Sequence, residues 1–257
     1  MTWWLRFEQG GKEHCGTLDA DGRTIRIQVG DIFDQPRPTG ETTALGEVKL
    51  LAPMRPGKFI GLWNNFRELA AKLNQAIPET PLYFIKAPNS YLDPGGVIRK
   101  PATYEGKVLY EGELGIVIGK TCSNVSEDQA AAGIFGYTCV NDVTALDILY
   151  QDPSFAQWAR AKSCDTFGPC GPVVATGLDW SQLRVRTLLN GRERQNYPVS
   201  DMILPPAKIV SLLSREMTLH PGDLIACGTS LGALPMRPGM RVEVTIDGIG
   251  TLDNTFE

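Results

Sequence analysis

The sequence predicts an α+β, β-rich fold in which short helices pack outside a mixed sheet. Three observations carry that prediction. Short apolar and β-branched runs bounded by Gly, Pro, Asn and Asp recur along the whole 257-residue chain. Segments with helical spacing are few and brief. They do not alternate one for one with strands, as a βαβ fold requires. There is no internal repeat and no low-complexity segment.

Residues 1–50 read as a small N-terminal β domain. Trp3 to Phe7, Gly16 to Asp19 and Thr24 to Val29 are its strands, with Gly10-Gly11 and Asp21-Gly22 as the turns between them. Asp34 to Gly40 has no periodicity and reads as a loop. Residues 51–257 read as the second, main domain. Lys58 to Leu62 is its first strand. Phe66, Leu69, Ala70, Leu73 and Ile77 then fall at helical spacing before the Pro78–Pro81 break. Leu82 to Lys86 is another strand. Ser126 with Gln129 makes a capping box for a short helix through Ala132. Phe155 to Lys162 reads as a brief helix, and Ser163 to Pro172 as a loop too rich in Gly and Pro for regular structure. Val185 to Leu189 precedes an Asn190-Gly191 hairpin turn, and Ala207 to Arg215 is helical. Leu224 to Ser230 is a strand running into a loop. Arg241 to Ile246 and Gly250 to Phe256 close the chain as a hairpin.

Whole-chain properties exclude several functions. A net charge of −4 and a pI near 5.4 give no basic stripe, so nucleic acid is not an expected partner. No apolar run is long enough to span a bilayer. The start, Met1 to Phe7, lacks the pattern of a signal peptide. The six cysteines are scattered without a CxxC, as expected for reduced thiols in a cytoplasmic enzyme. His14 and His220 are the only histidines, and neither sits in a pattern that suggests nucleophilic catalysis.

Chemistry concentrates between Val108 and Asp142. Glu111 and Glu113 are two apart at the mouth of the apolar run Leu114 to Ile118, so on a strand they face the same way. A second apolar run, Gly136 to Asn141, ends in Asp142. An isolated Glu-x-Glu is usually a solvated strand face. Three carboxylates at two apolar strand ends instead suit a hard divalent cation, which removes their mutual repulsion. The connection of roughly thirty residues is long enough for a helical crossover.

Tyr110-Glu111-Gly112-Glu113-Leu114, Gly136 to Asp142, Lys162-Ser163 with Asp165, Asn190-Gly191, Met217 to Asp223 and Cys227-Gly228-Thr229 follow one another in an order that resembles the fumarylacetoacetate hydrolase family. The resemblance covers about residues 50 to 257. It implies a mixed β-roll core, commonly in a homodimer, and Mg2+ or Mn2+ held by Glu111, Glu113 and Asp142. It also implies catalytic Lys162 beside the ion, Thr229 on the substrate carboxylate, and Arg67 and Lys86 in substrate-binding segments. Members act on 2-keto acids and 1,3-diketones. A divalent ion plus an ammonium would stabilise the negative charge of an enolate where it develops.

The chain departs from the hydrolytic pattern. Leu69 stands at that pattern's usual histidine and Lys72 at its glutamate, while Leu146 and Leu149 replace an Arg and a Gln. A leucine cannot take a proton from water. The expected function is therefore isomerisation or decarboxylation of a 2-keto (2-hydroxy-dienoic) diacid in aromatic catabolism, similar to the isomerase/decarboxylase members. The alternatives are an acylpyruvate or fumarylpyruvate hydrolase using another base, and a metal-binding member without turnover. Glu68 is an alternative proton carrier if its helix turns it inward.

Overall fold

The computed structural model describes residues 1–257. A 12-stranded sheet runs from Arg37–Ala44 at one edge, through the N-terminal meander, to Gly168–Thr176, Ile134–Asn141, Gly112–Ile118, Leu224–Ala226, Phe59–Trp63 and finally Leu82–Lys86. Most neighbours are antiparallel, but Leu224–Ala226 lies parallel to Phe59–Trp63, which makes the sheet mixed. A second sheet of five strands carries Arg192–Pro198, Arg184–Leu189, Arg241–Ile246, Gly250–Phe256 and Val97–Ile98 in that order. Leu114, Ile116 and Ile118 of the first sheet share one buried cluster with Val185, Val244, Ile246 and Leu252 of the second. Five short α-helices lie outside. The most regular of them, Pro206–Glu216, buries Ile209, Val210 and Leu213 in the same cluster.

Gly112–Ile118 is buried along its entire length because strands pair with it on both sides and layers cover both faces. That is why it reads as a continuous apolar run rather than an alternating one. The capping box forms as expected: Ser126 Oγ accepts from Gln129 N–H, and Gln129 Oε1 accepts from Ser126 N–H, starting helix Glu127–Gly133. That helix connects two antiparallel neighbours, Gly112–Ile118 and Ile134–Asn141, so it is not a parallel crossover.

Three segments differ from the sequence expectation. Arg37–Ala44 is a strand, not part of a loop; it is an exposed edge, so it needs no apolar alternation. Gly168–Thr176 is a strand through Pro169, Gly171 and Pro172. Its pairing shifts register between Tyr137 and Cys139, and Pro172, which has no N–H to donate, falls opposite that irregularity. The helix after Phe59–Trp63 spans only Arg67–Lys72, and Asn74 turns to a φ of +51°. Leu73 and Ile77 are thereby left half exposed at 51% each instead of continuing an apolar stripe. The N-terminal strands are not a separate sheet, because Thr2–Gln9 bonds directly to Gly168–Thr176.

Candidate active site

The two strand ends that carry the acids are tied to each other. Gly112 pairs with Asn141, Asp142 N–H donates to Glu111 O at 2.9 Å, and Asn141 Oδ1 accepts from Glu111 N–H at 3.0 Å. This brings ligand oxygens of Glu111, Glu113 and Asp142 within 4.8 Å of one another. Glu113 and Asp142 are fully buried, and Glu111 retains 18% of its side-chain exposure.

Two lysines enter the cluster. Lys162 ends helix Trp158–Lys162, and its Nζ donates to Glu111 Oε2 at 2.7 Å and to Asp142 Oδ2 at 2.6 Å. Lys86 ends strand Leu82–Lys86, where alternation turns Phe84 and Lys86 inward, and its Nζ donates to Asp142 Oδ1 at 2.6 Å. Phe84 builds the seat for Lys162. Gly61 leaves the Phe84 ring its space, since a Cβ there would lie 2.4 Å from it. The ring stacks on Trp158 at 5.3 Å and 8°, and Lys162 Nζ stands 5.0 Å from its centroid.

Three carboxylates against two ammoniums leave one negative charge uncompensated in a buried place. Burial, reinforced by the charges of Asp142 and Glu111, pushes Glu113 well above the usual carboxylate range. Burial alone would also raise Asp142, but Lys162 and Lys86 overcome it and hold that carboxyl below its usual range. Burial works against charge on Lys162 as well; the carboxylates around it win and keep it firmly protonated. Lys86 is pulled below its usual range by burial, with Asp142 opposing.

Glu113 Oε2 accepts from Gly228 N–H at 2.8 Å, whereas its buried Oε1 has no partner at all. A carboxylate oxygen pays heavily for such isolation unless a cation meets it. The orphaned oxygen, the all-oxygen donor set and the uncompensated charge fit a hard divalent ion, which Glu111, Glu113 and Asp142 would hold. If Glu113 keeps a proton that the ion must displace, magnesium affinity rises with pH and goes on rising above about pH 5.5, where ordinary glutamates are already ionised. Calorimetry across pH, in buffers of different ionisation heat, measures both the affinity and the proton released. A flat affinity above that pH would contradict the assignment.

A cavity of about 210 Å³ opens over Glu111 and Lys162. Thr144 and Thr229 share its floor. Trp63, Leu69, Phe84, Leu146, Leu149 and Trp158 supply an apolar wall. Larger grooves of about 560 and 610 Å³ lie against the N-terminal strands around Arg6, Glu13 and Arg55, away from the carboxylates. Thr229 Oγ1 donates to Gly112 O at 3.0 Å, and Thr144 Oγ1 donates to Glu111 Oε1 at 2.9 Å.

The fold thus brings together Glu111, Glu113, Asp142, Lys162, Lys86 and Thr229. Lys86 is not at the cavity surface, where a substrate contact would place it; it is 1% exposed and serves Asp142. Its replacement, Lys86→Met, is expected to destabilise the metal-free protein by about 3–5 kcal/mol, because Asp142 stays buried with one partner fewer. Denaturant unfolding tests this, and a loss below about 1 kcal/mol, the scale of an exposed pair, would contradict it. Arg67 is exposed and outside the cavity lining. It lies two positions before Leu69, about 200° around the helix, so a helix that offers Leu69 to the cavity turns Arg67 away. Glu68 is exposed too, which removes it as an inward proton carrier.

Sequence reasoning missed Thr144, Asn141 and Gln195. Asn141 and Thr144 flank the Asp142 motif. Nothing marks Gln195, a buried residue within the polar strand Arg192–Pro198.

A model described as fumarylacetoacetate (FAA) hydrolase C-terminal matches residues 58–257. The chain belongs to the fumarylacetoacetate hydrolase family. A second family model, Rv2993c-like N-terminal, matches residues 4–53. Oxaloacetate tautomerase YisK of Bacillus subtilis strain 168 is similar to the chain, 38% identical over 225 residues, covering 82% of this chain and 74% of that protein. The solved structure of 2-hydroxyhepta-2,4-diene-1,7-dioate isomerase from Mycobacterium marinum superposes with a TM-score of 0.89 at 38% identity, over 100% of this chain and 98% of that one. 5-Carboxymethyl-2-hydroxymuconate delta-isomerase from Mycobacterium smegmatis gives 0.91 at 36% identity, over 100% and 99%. The strand-rich architecture is that of this family. No helix is long and apolar enough to cross a membrane.

Proposed function

We propose that the chain is a divalent-metal-dependent enzyme that isomerises or decarboxylates a 2-keto or 2-hydroxy-dienoic diacid by way of its enolate, in the breakdown of aromatic compounds. The observation that carries this is the buried carboxylate triad, with its orphaned Glu113 oxygen, beneath a cavity whose lining holds no histidine and no carboxylate besides the triad's own Glu111. His14 stacks on Phe7 in the N-terminal strands and His220 is exposed in a turn, so neither reaches the cavity. Leu69, Leu146 and Leu149 occupy wall positions where the hydrolytic pattern needs His, Arg and Gln. The names of the relatives support proton-transfer chemistry: two are isomerases of unsaturated 2-hydroxy acids with two and three carboxylates, and one is a tautomerase of oxaloacetate, a 2-keto diacid.

Magnesium, with manganese as its substitute on the same oxygen donors, would polarise the 2-keto oxygen as a Lewis acid when bound. The chain's own groups supply fixed charge, orientation and exclusion of water. Lys162, pinned between Glu111 and Asp142 in the cavity lining, would set a fixed ammonium beside the oxygen on which charge develops. Such a charge accelerates the step because its position needs no reorganisation. It is held too firmly protonated to act as the base. Thr229 and its loop orient the substrate carboxylate. The apolar wall keeps water out, which strengthens the ammonium's field. The protein partner we propose is a second copy, to be tested by light scattering.

The test is product analysis by NMR with magnesium present, using 2-hydroxyhepta-2,4-diene-1,7-dioate, oxaloacetate and an acylpyruvate as substrates. A shifted double bond, keto–enol interconversion or carbon dioxide release from the diacids is expected. Cleavage of the acylpyruvate into two acids, with both diacids untouched, would favour the hydrolase instead. Magnesium binding with no turnover on any of the three would favour a non-catalytic member.

A further inference from the structure

Gln195 is 1% exposed on strand Arg192–Pro198 and does not line the cavity, yet its side chain joins the two segments that do the cavity's work. Its Oε1 accepts from Gly112 N–H at 3.0 Å, the amide between Glu111 and Glu113. Its Nε2 donates to Thr229 Oγ1 at 2.8 Å and to Ser230 O at 3.3 Å. The backbone forces this orientation of the amide: Gly112 N–H can only donate and Ser230 carbonyl can only accept, so a flipped amide would oppose both. With Nε2 donating to it, the Thr229 hydroxyl turns its own proton to Gly112 O at 3.0 Å, which Tyr197 OH also meets; a substrate carboxylate, which can only accept, would take that hydrogen bond in place of Gly112 O, which keeps Tyr197. Gly112 has no space to yield, since a Cβ there would lie 2.1 Å from Thr187 Oγ1. One residue past the Ser230–Leu231 pair, a Cβ on Gly232 would lie 2.0 Å from Arg194 O, so the loop is pressed against the strand that carries Gln195.

We infer that Gln195 is a positioning residue for the reaction, holding the Thr229–Ser230 loop in register with the carboxylate strand so that carboxylate recognition and metal ligation share one rigid frame. This rests on the metal-site reading of Glu111, Glu113 and Asp142 and on Thr229 as the carboxylate contact. Gln195 acts through Thr229 and touches neither substrate nor ion. Its removal therefore costs ligand affinity only where the Thr229 hydroxyl is there to be positioned.

The experiment is a double-mutant cycle of Gln195→Met and Thr229→Val, read by calorimetry of magnesium binding and of oxalate binding at saturating magnesium. Oxalate stands in for the planar carboxylate–enolate of a 2-keto acid. Gln195→Met is expected to weaken oxalate about tenfold, the scale of a hydrogen bond of net value near 1.4 kcal/mol. In the Thr229→Val background the same change is expected to cost less than about threefold. Magnesium affinity is expected to fall by a smaller factor than oxalate affinity. An equal loss of oxalate affinity in both backgrounds, as general loosening of the fold would give, overturns the proposal, and so does no loss in either. If the methionine variant does not fold, Gln195→Asn takes its place in the cycle, one methylene too short to span both segments, with the same two expectations. The unaltered protein is measured alongside: absence of magnesium-dependent oxalate binding there strikes the metal-site reading itself, and the proposal falls with it, whereas the variants test Gln195 alone.

Discussion

Glu113→Gln is expected to stabilise the metal-free protein while abolishing its response to magnesium. Folding raises the pKa of Glu113, chiefly by burial, so the native state holds that proton more tightly than the unfolded chain does. The stability this favours is present below the unfolded pKa and is lost as pH rises toward the folded one. Above the ordinary glutamate range, an ionised or proton-competing Glu113 is therefore a liability that an amide of the same shape removes. The gain should grow with pH, at roughly 2–4 °C of Tm for each kcal/mol relieved in a chain of this size. Magnesium then loses a ligand, with affinity expected to fall by at least ~100-fold, the upper range for disturbing the partners of a metal ligand. Thermal scans with and without magnesium read both effects. A variant that is less stable without the ion, or that is still stabilised by it, would place the cation elsewhere.

Lys162→Met separates binding from catalysis. Without its ammonium, Glu111 and Asp142 lose the donor that bridges them at 2.7 and 2.6 Å, and Asp142 has only Lys86 left. The metal-free protein is expected to lose about 3–5 kcal/mol of stability, the cost of stranding buried charge. Magnesium, which supplies positive charge at the same carboxylates, should recover much of that loss and bind no more weakly than before. Turnover at saturating magnesium should nonetheless drop by ~10²–10³-fold, the scale for removing one fixed donor from a developing oxyanion. Steady-state kinetics beside denaturant unfolding make the comparison. An unchanged rate in a metal-loaded variant would remove Lys162 from the chemistry.

What the sequence revealed, and what it hid, follows from the range of the interactions. Glu111, Glu113 and Asp142 were legible because period-two alternation and apolar strands are local properties, and the structure brings all three together. The capping box at Ser126 and the closing hairpin were equally local and are found as read. Lys86 was legible as a strand end, but its duty was not: only the tertiary approach of Leu82–Lys86 to Asp142 turns a pocket residue into a buried counter-ion. The Pro-rich strand Gly168–Thr176 was invisible for the opposite reason. Its local signals oppose a strand, and pairing on both sides with an accommodating register shift overrides them. Gln195 had no sequence signal because buried polar clamps follow neither the 3.6 nor the 2.0 period; their partners lie 83 and 34 residues away.

The most direct measurement is calorimetry of oxalate binding to the metal-stripped protein, with and without magnesium. The carboxylate triad predicts binding that appears only when magnesium is present and disappears in Glu113→Gln. Oxalate binding that is indifferent to magnesium, or absent in both states, would contradict the metal-assisted enolate site and leave a family member whose acids serve the fold alone.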